Sequence, residues 1–124
     1  MKLLLDTHVV LWWTHDSQRL SGAVQELLAD PRHDVLISAV VAWEIAIKRA
    51  LGKLTVRAGL VDELVRGGAR ELPVSIAHAT AVEVLPPHHR DPFDRMLVVQ
   101  ARAEAAVLVS SDPALRAYDV PVSW

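Results

Sequence analysis

Four carboxylates in this 124-residue sequence occupy positions that suit chemistry. Asp6 directly follows the apolar run LLL, and Asp112 comes shortly after the apolar stretch AVLVS. Glu44 and Asp94 lie within helical segments. Two like charges about 5 Å apart, at an effective dielectric constant of about 20, repel by roughly 3 kcal/mol. Four acids brought together therefore need raised pKa values or a bound cation.

The chemistry of such a cation follows from the side chains available to bind it. The sequence has no cysteine and no paired histidine motif, so the ligands would be oxygen atoms. Oxygen ligands suit a hard cation such as Mg²⁺ or Mn²⁺. A cation of this kind lowers the pKa of bound water and offsets charge on a phosphodiester as it is attacked.

Glu44 lies on a helical face that otherwise predicts burial. Its neighbours about one turn away are Val40, Val41 and Ile47, and only Lys48, at i+4, is polar. A buried carboxylate is costly unless a partner satisfies it. The structural alternative to a functional role is an ion pair between Glu44 and Lys48, which have the favourable order for a helix.

Asp94 also shares its helical face with apolar residues, including Leu97 and Val98. Asp91 lies three positions earlier and directly precedes a proline, so it is interpreted as the N-cap of the helix PFDRMLVVQARAEA. The structural alternative for Asp94 is an acid in the first turn that the helix dipole stabilises.

The two acids at strand ends have structural alternatives of their own. Asp6 could form an Asx turn or cap the next helix, and Asp112, before Pro113, is a good N-cap. A residue can also serve both purposes. His8 could approach a substrate, whereas His88 and His89 are interpreted as solvated loop residues.

Two further groups of residues are interpreted structurally. Trp12 and Trp13 are interpreted as core or interface residues, in preference to a platform on which bases stack. The basic residues around the end of the third predicted helix are interpreted as a solvated face, with phosphate contact as the alternative. They are Lys48, Arg49, Lys53 and Arg57.

Short apolar strands alternate with helices along the chain. The segments 3–5, 34–38, 71–75 and 106–110 predict strands, and 119–124 predicts an edge strand. Helices are predicted between them, with serines as N-caps and Gly52 ending the helix AVVAWEIAIKRAL. These caps are Ser21, Ser38 and Ser75. Strands that are apolar throughout indicate a mostly parallel sheet covered on both faces. Since ligands bind beyond the carboxyl ends of such strands, Asp6 and Asp112 are expected at one edge.

Composition limits the class of protein. The chain is 52% hydrophobic and 23% charged, which predicts one domain over residues 1–124 with a single core. No apolar run is long enough to span a bilayer and no signal peptide is visible, so a cytoplasmic location is expected. The net charge of −2 argues against coating nucleic acid by bulk charge, although it leaves room for a local basic groove.

Four motifs, in order along almost the whole chain, resemble the PIN-domain family. They are LLLDTHVVLWW, the Trp-Glu-Ile of SAVVAWEIAIK, DPFDRMLVVQA and VSSDPAL. More narrowly, they resemble the VapC-type toxins of bacterial and archaeal type II toxin–antitoxin pairs. The resemblance implies a three-layer α/β/α sandwich with a central, mostly parallel sheet. It also implies an endoribonuclease that depends on Mg²⁺ or Mn²⁺ and leaves 5′-phosphate and 3′-hydroxyl ends.

The resemblance further implies roles for individual residues. The family's catalytic and metal-binding acids match Asp6, Glu44, Asp94 and Asp112. Thr7 and Ser110 match hydroxyl positions that orient ligands or water, and Asp91 could hold a metal-bound water. The implied partners are RNA, single-stranded or in loops, and a cognate antitoxin protein. The implied assembly is a homodimer or a toxin–antitoxin hetero-oligomer, with no membrane involved.

Two other functions stay open at the level of sequence. One is a non-catalytic PIN-like module that binds RNA or a partner, against which the intact acids count. The other is a phosphoacceptor domain of the response-regulator class. That class expects an acid pair at the first strand end and a late lysine, whereas here Thr7 follows Asp6 and no lysine follows Lys53.

Overall fold

A computed structural model describes all 124 residues and contains one five-stranded sheet. The strands are β1 (Lys2–Leu5), β2 (Asp34–Ser38), β3 (Arg70–Leu72), β4 (Val107–Val109) and β5 (Val122–Ser123). Their order across the sheet is β3-β2-β1-β4-β5, and every neighbouring pair is parallel. The predicted α/β class with a central parallel sheet is therefore confirmed.

Six α-helices connect the strands. They are α1 (Thr7–His15), α2 (Gly22–Ala29), α3 (Ala39–Ala50), α4 (Leu60–Arg66), α5 (Ile76–Ala81) and α6 (Pro92–Glu104). Three short 3₁₀ helices, Ser17–Arg19, Val82–Val84 and Pro113–Ala117, complete the set. None of the helices has both the length and the apolar character that a bilayer-spanning helix requires.

Some element boundaries differ from the predicted ones. The strand predicted at 71–75 is Arg70–Leu72, because Pro73 has no N–H to donate to the sheet. The helix predicted from residue 56 begins only at Leu60, after Gly59 with φ of +77°. The helix predicted after Asp112 is a 3₁₀ helix. The predicted N-caps are confirmed, and each serine accepts a hydrogen bond from the backbone of its first turn.

The centre of the sheet is the best-buried part of the molecule. Leu3, Leu4 and Leu5 in β1 have no exposed surface. Consecutive residues of a strand point to opposite faces, so helices must cover both faces of β1. Burying one such leucine side chain contributes about 1.5–3 kcal/mol. Strand β1 is thus a rigid base for the residue that follows it, Asp6.

Candidate active site

Asp6 lies directly beyond the carboxyl end of β1 and caps α1. Its backbone N–H donates to the Val109 carbonyl (3.1 Å), and its Oδ1 accepts from the Val9 N–H (2.9 Å). The residue is only 4% exposed. Burial raises the pKa of Asp6, while hydrogen bonds from the Ser110 side chain and the Val9 backbone oppose that rise. Asp6 is therefore both a helix cap and a buried acid.

Glu44, on α3, is held by two hydrogen bonds. Thr7 Oγ1 donates to its Oε1 and Lys48 Nζ donates to its Oε2, each at 2.6 Å. The ion pair with Lys48 exists, but it is not an ordinary surface pair, because Glu44 is only 5% exposed. The hydrogen bond to Glu44 raises the pKa of Lys48. Thr7, which follows Asp6 in the chain, thus connects α1 to the acid on α3.

Asp94 lies in the first turn of α6, where Asp91 forms the cap. Asp91 Oδ1 accepts from the backbone N–H groups of Phe93 (2.8 Å) and Asp94 (3.2 Å), so the predicted N-cap is confirmed. Burial raises the pKa of Asp94 to about 7, and the charges of Asp91, Asp6 and Glu44 add to that rise. An acid that the helix dipole alone stabilised would have a lowered pKa. At Asp94, burial and the charges of the neighbouring acids therefore outweigh the helix dipole.

Asp112 begins the 3₁₀ helix that follows β4. Its Oδ1 accepts from the Ala114 N–H (2.9 Å), and its own N–H donates to Ser110 Oγ (3.1 Å). Burial acts to raise the pKa of Asp112, but hydrogen bonds from Ala114 and His89 outweigh it and the pKa is lowered. Ser110 is 1% exposed and also bonds to Asp6, so it holds two of the acids together.

His89 lies between two of the acids, so its interpretation as a solvated residue is wrong. Its Nε2 lies 3.1 Å from Asp94 Oδ2 and 2.9 Å from Asp112 Oδ2. Its Nδ1 lies 3.2 Å from the Asp91 backbone nitrogen. Because an amide N–H can only donate, Nδ1 is the acceptor and the ring hydrogen is on Nε2. His89 therefore directs an N–H toward Asp94 and Asp112.

The surroundings of the preceding residue, His88, show why the sequence did not reveal the position of His89. His88 packs its ring edge-on against Tyr118, with ring centres 5.1 Å apart. The Tyr118 hydroxyl accepts from the His89 backbone N–H (2.9 Å). The two adjacent histidines thus have different environments. Tyr118, which contacts both of them, is far away in the sequence.

Arg95 holds the loop before α6 in place. Its guanidinium donates to the carbonyl oxygens of four residues in the segment before α6 and to the Tyr118 hydroxyl at 3.0–3.3 Å. The four residues are Val82, Leu85, Pro86 and His89. The sequence pattern gave no signal for this role, because it depends on how the loop folds back on α6.

An aromatic contact joins the two helices that carry Glu44 and Asp94. Trp43, on α3, meets Phe93, on α6, edge-on with ring centres 5.3 Å apart. Trp43 is nevertheless 61% exposed. The exposed indole therefore adjoins Glu44 in the sequence and packs against Phe93, the residue that directly precedes Asp94.

The residues present fit a divalent cation. The charges of Asp6 and Glu44 raise the pKa of Asp94, and ligand atoms of His89, Asp94 and Asp112 all lie within 4.8 Å of one another. Carboxylate oxygens suit Mg²⁺ or Mn²⁺, and a cation would offset the repulsion that raises the pKa of Asp94. His89 Nε2 carries a hydrogen in this orientation, so the fit rests on the oxygen atoms.

The chain is similar to known proteins in both sequence and fold. A family model described as the PIN domain matches residues 3–121. The chain is 32% identical over 127 residues to "Ribonuclease VapC22" of Mycobacterium tuberculosis, covering 96% of this chain and 93% of that protein.

Solved structures share the fold. VapBC2 from Rickettsia felis, bound to a promoter DNA fragment, matches with a TM-score of 0.75 and 16% identity, covering 100% of this chain and 99% of that one. VapBC-1 from nontypeable Haemophilus influenzae matches with a TM-score of 0.69 and 17% identity, covering 99% and 97%. At these identities the structural likeness concerns the fold alone.

Proposed function

The chain belongs to the PIN-domain family, in its VapC branch, and from that premise we propose that it is a metal-dependent endoribonuclease and the toxin of a type II toxin–antitoxin pair. We propose that residues 1–124 act as one PIN domain. The observation that carries the proposal is the convergence of four acids at the carboxyl edge of one parallel sheet. They are Asp6 and Glu44, whose charges act on Asp94, Asp94 itself, and Asp112, which shares the His89 ring with Asp94.

The metal ligands we propose are the acids that burial and mutual repulsion disturb most. Asp6 and Asp94 have raised pKa values and would be the main ligands for Mg²⁺, or for Mn²⁺ in its place. Glu44 already accepts from Thr7 and Lys48 with both oxygens, so its contribution would be mainly charge. Asp112 completes the acidic pocket. When bound, the cation supplies Lewis acidity, which lowers the pKa of water and offsets charge on the phosphodiester.

The chain's own residues orient these acids. Thr7 fixes Glu44, and Ser110 bonds to both Asp6 and Asp112. Asp91 caps α6 and so sets the direction from which Asp94 enters the site. Such second-layer contacts typically change metal affinity or activity by about 10–100-fold when they are removed. In the proposed reaction, water adds across the P–O3′ bond, which leaves a 5′-phosphate and a 3′-hydroxyl.

The substrate and partners follow from the same proposal. The RNA would be single-stranded or looped, because unpaired bases are accessible for recognition. A relative is named a ribonuclease, and structural neighbours are complexes named VapBC. These support a cognate antitoxin as the regulatory partner, in a hetero-oligomer or with a toxin homodimer.

The direct test is cleavage of structured RNAs by the purified protein with and without Mg²⁺. We expect cleavage that EDTA abolishes and Mg²⁺ restores. Asp6→Asn and Asp94→Asn each remove a ligand charge with little change of shape, so retention of full activity by either would contradict the assignment. RNA binding that is insensitive to EDTA, with no cleavage, would instead support a non-catalytic module.

A further inference from the structure

A cleft of about 480 Å³ opens beside the candidate active site, between α1 and the turn that follows α3. Thr7 and Lys48 are among its lining residues, and both donate hydrogen bonds to Glu44. The cleft therefore adjoins the acidic pocket through two residues that contact one of the four acids.

The wall opposite α1 is built by a reversal of the chain at the end of α3. Gly52 has φ of +70°, a conformation that favours glycine, and Lys53 N–H then donates to the Lys48 carbonyl (2.9 Å). Arg49 Nε donates to the Val56 carbonyl (2.9 Å). These hydrogen bonds hold residues 53–56 to the end of α3, so the wall that faces α1 is a fixed part of the fold.

The charge of the cleft is opposite to that of the whole molecule. Its lining includes Lys53 and Arg19 against the single carboxylate of Asp16, besides Lys48, which is paired with Glu44, whereas the chain has a net charge of −2. Lys53 and Arg19 form no ion pair with a carboxylate. The Arg19 guanidinium lies 5.0 Å from the ring centre of Trp12, which fixes the cation without neutralising it.

The remaining lining suits a nucleobase. Leu11, Trp12, Leu54 and Val56 provide apolar and aromatic surface between the basic residues. Proteins that bind single strands combine cations that track the backbone with such surfaces for the bases. A cleft of this volume is of the size that holds a small ligand, so it admits one strand and not a duplex.

We propose that this cleft binds the single-stranded RNA segment that flanks the scissile phosphate, with Lys53 and Arg19 contacting its phosphates. The inference rests on the proposed function, since it takes the acidic pocket as the place of cleavage. Lys53, interpreted from the sequence as part of a solvated basic face, is thereby assigned a contact with RNA phosphate. The inference also assigns Trp12 a contact with substrate in addition to its packing against Trp124.

Binding is the first measurement. The probe is a fluorescein-labelled RNA 12-mer pool of random sequence, and the protein carries Asp94→Asn so that the probe stays intact. We expect Lys53→Gln and Arg19→Gln each to weaken binding by about three- to tenfold and to reduce the slope of log K against log salt by about 0.7. Arg102→Gln is the matched control, because Arg102 is exposed on α6 and forms no ion pair.

Several outcomes would overturn the inference. Equal weakening by Arg102→Gln would show a general charge effect, and no weakening by the two cleft variants would exclude phosphate contact. An acidic 12-residue peptide of Glu and Asp provides a further arm. If the cleft variants weaken binding of that peptide but not of RNA, the cleft is a site for a protein partner and the inference is wrong.

Steady-state cleavage separates this inference from the proposed function. With Asp94 intact, Lys53→Gln and Arg19→Gln should raise KM by the same factor and leave kcat unchanged, because a remote phosphate contact stabilises ground and transition states equally. A fall in kcat with unchanged KM would contradict the binding role. If the unmodified protein binds RNA through the cleft but never cleaves it, the proposed function fails and the cleft inference stands. If the protein cleaves RNA but Lys53→Gln and Arg19→Gln have no effect, the proposed function stands and the cleft inference fails.

Discussion

Asp91 and Asp94 lie three positions apart and have different environments. Asp91 accepts hydrogen bonds from two backbone N–H groups at the start of α6, whereas Asp94 feels the charges of Asp6, Glu44 and His89. The cap bonds of Asp91 include one to Asp94 itself. The cap therefore positions the acid, and the two aspartates should differ in what their loss does to the protein.

We expect Asp91→Asn to retain most of the cleavage activity and Asp94→Asn to lose at least about 100-fold. Asparagine caps a helix about as well as aspartate, so Asp91→Asn should change stability by less than about 0.5 kcal/mol. Asp94→Asn removes a proposed ligand charge. Cleavage rates at saturating Mg²⁺, with melting temperatures to confirm folding, provide the measurement. Equal losses in the two variants would contradict this division of roles.

His89 is the residue whose importance the structure adds. Its Nε2–H faces Asp94 and Asp112, and its Nδ1 accepts from the Asp91 backbone, so it fixes three parts of the site at once. We expect His89→Ala to reduce cleavage by about 10–100-fold and to raise the Mg²⁺ concentration that gives half-maximal rate. His88→Ala is the matched control and should leave both quantities nearly unchanged. A dependence on Mg²⁺ identical to that of the unmodified protein would exclude a positioning role for His89.

At the scale of elements, local sequence patterns predicted most of the strands and helices that carry the four acids. Strand β2 has the predicted bounds, and the predicted serine caps form. The end of a buried strand and the apolar stripe of a helix locate Asp6 and Glu44 without knowledge of other segments. His89 could not be placed in this way, because Tyr118 and Asp112, more than 20 residues away, determine where its backbone and ring lie.

The loop before α6 depends on one side chain. Arg95 donates to four loop carbonyls and to Tyr118, a pattern that the planar five-donor guanidinium allows and an ammonium group cannot reproduce. We expect Arg95→Lys to lower the free energy of unfolding by about 1–3 kcal/mol. Urea denaturation would measure the change. Arg102→Lys, on the exposed side of the same helix, should change it by less than about 0.5 kcal/mol, and similar losses in both variants would contradict the argument.

At the scale of the whole molecule, the parallel sheet delivers every strand end to the same edge. The core of β1 is fully buried and supports Asp6, while α3, α6 and the segment after β4 bring the remaining acids. This concentration of like charge has an energetic cost, because burial and repulsion together raise the pKa of Asp94 to about 7. Global stability should therefore depend on pH in a direction opposite to that of a salt-bridged aspartate.

In EDTA, we expect stability to fall as pH rises from about 4 to about 7. The folded protein binds the Asp94 proton more tightly than the unfolded chain, whose aspartate titrates near its ordinary value of 3.8. The favourable contribution is complete below that value and is lost as pH rises through 7. The shift corresponds to about 4 kcal/mol, which solvent screening of this partly exposed side chain reduces to the order of 2 kcal/mol. Melting temperatures between about pH 4 and 8 would show it, compared with Asp94→Asn as the reference. If the melting temperatures of the two proteins depend on pH in the same way, the pKa of Asp94 is not raised in the folded protein.

The contact between Trp43 and Phe93 also has an optical consequence. Trp12, Trp13 and Trp124 are half-buried, whereas Trp43 is 61% exposed and adjoins Glu44 in the chain. A water-soluble quencher such as iodide should therefore extinguish mainly the long-wavelength emission of Trp43. Because Phe93 directly precedes Asp94, whatever shifts the start of α6 against α3 will change that emission. The fold thus contains a built-in fluorophore for following events at the acids, without any label.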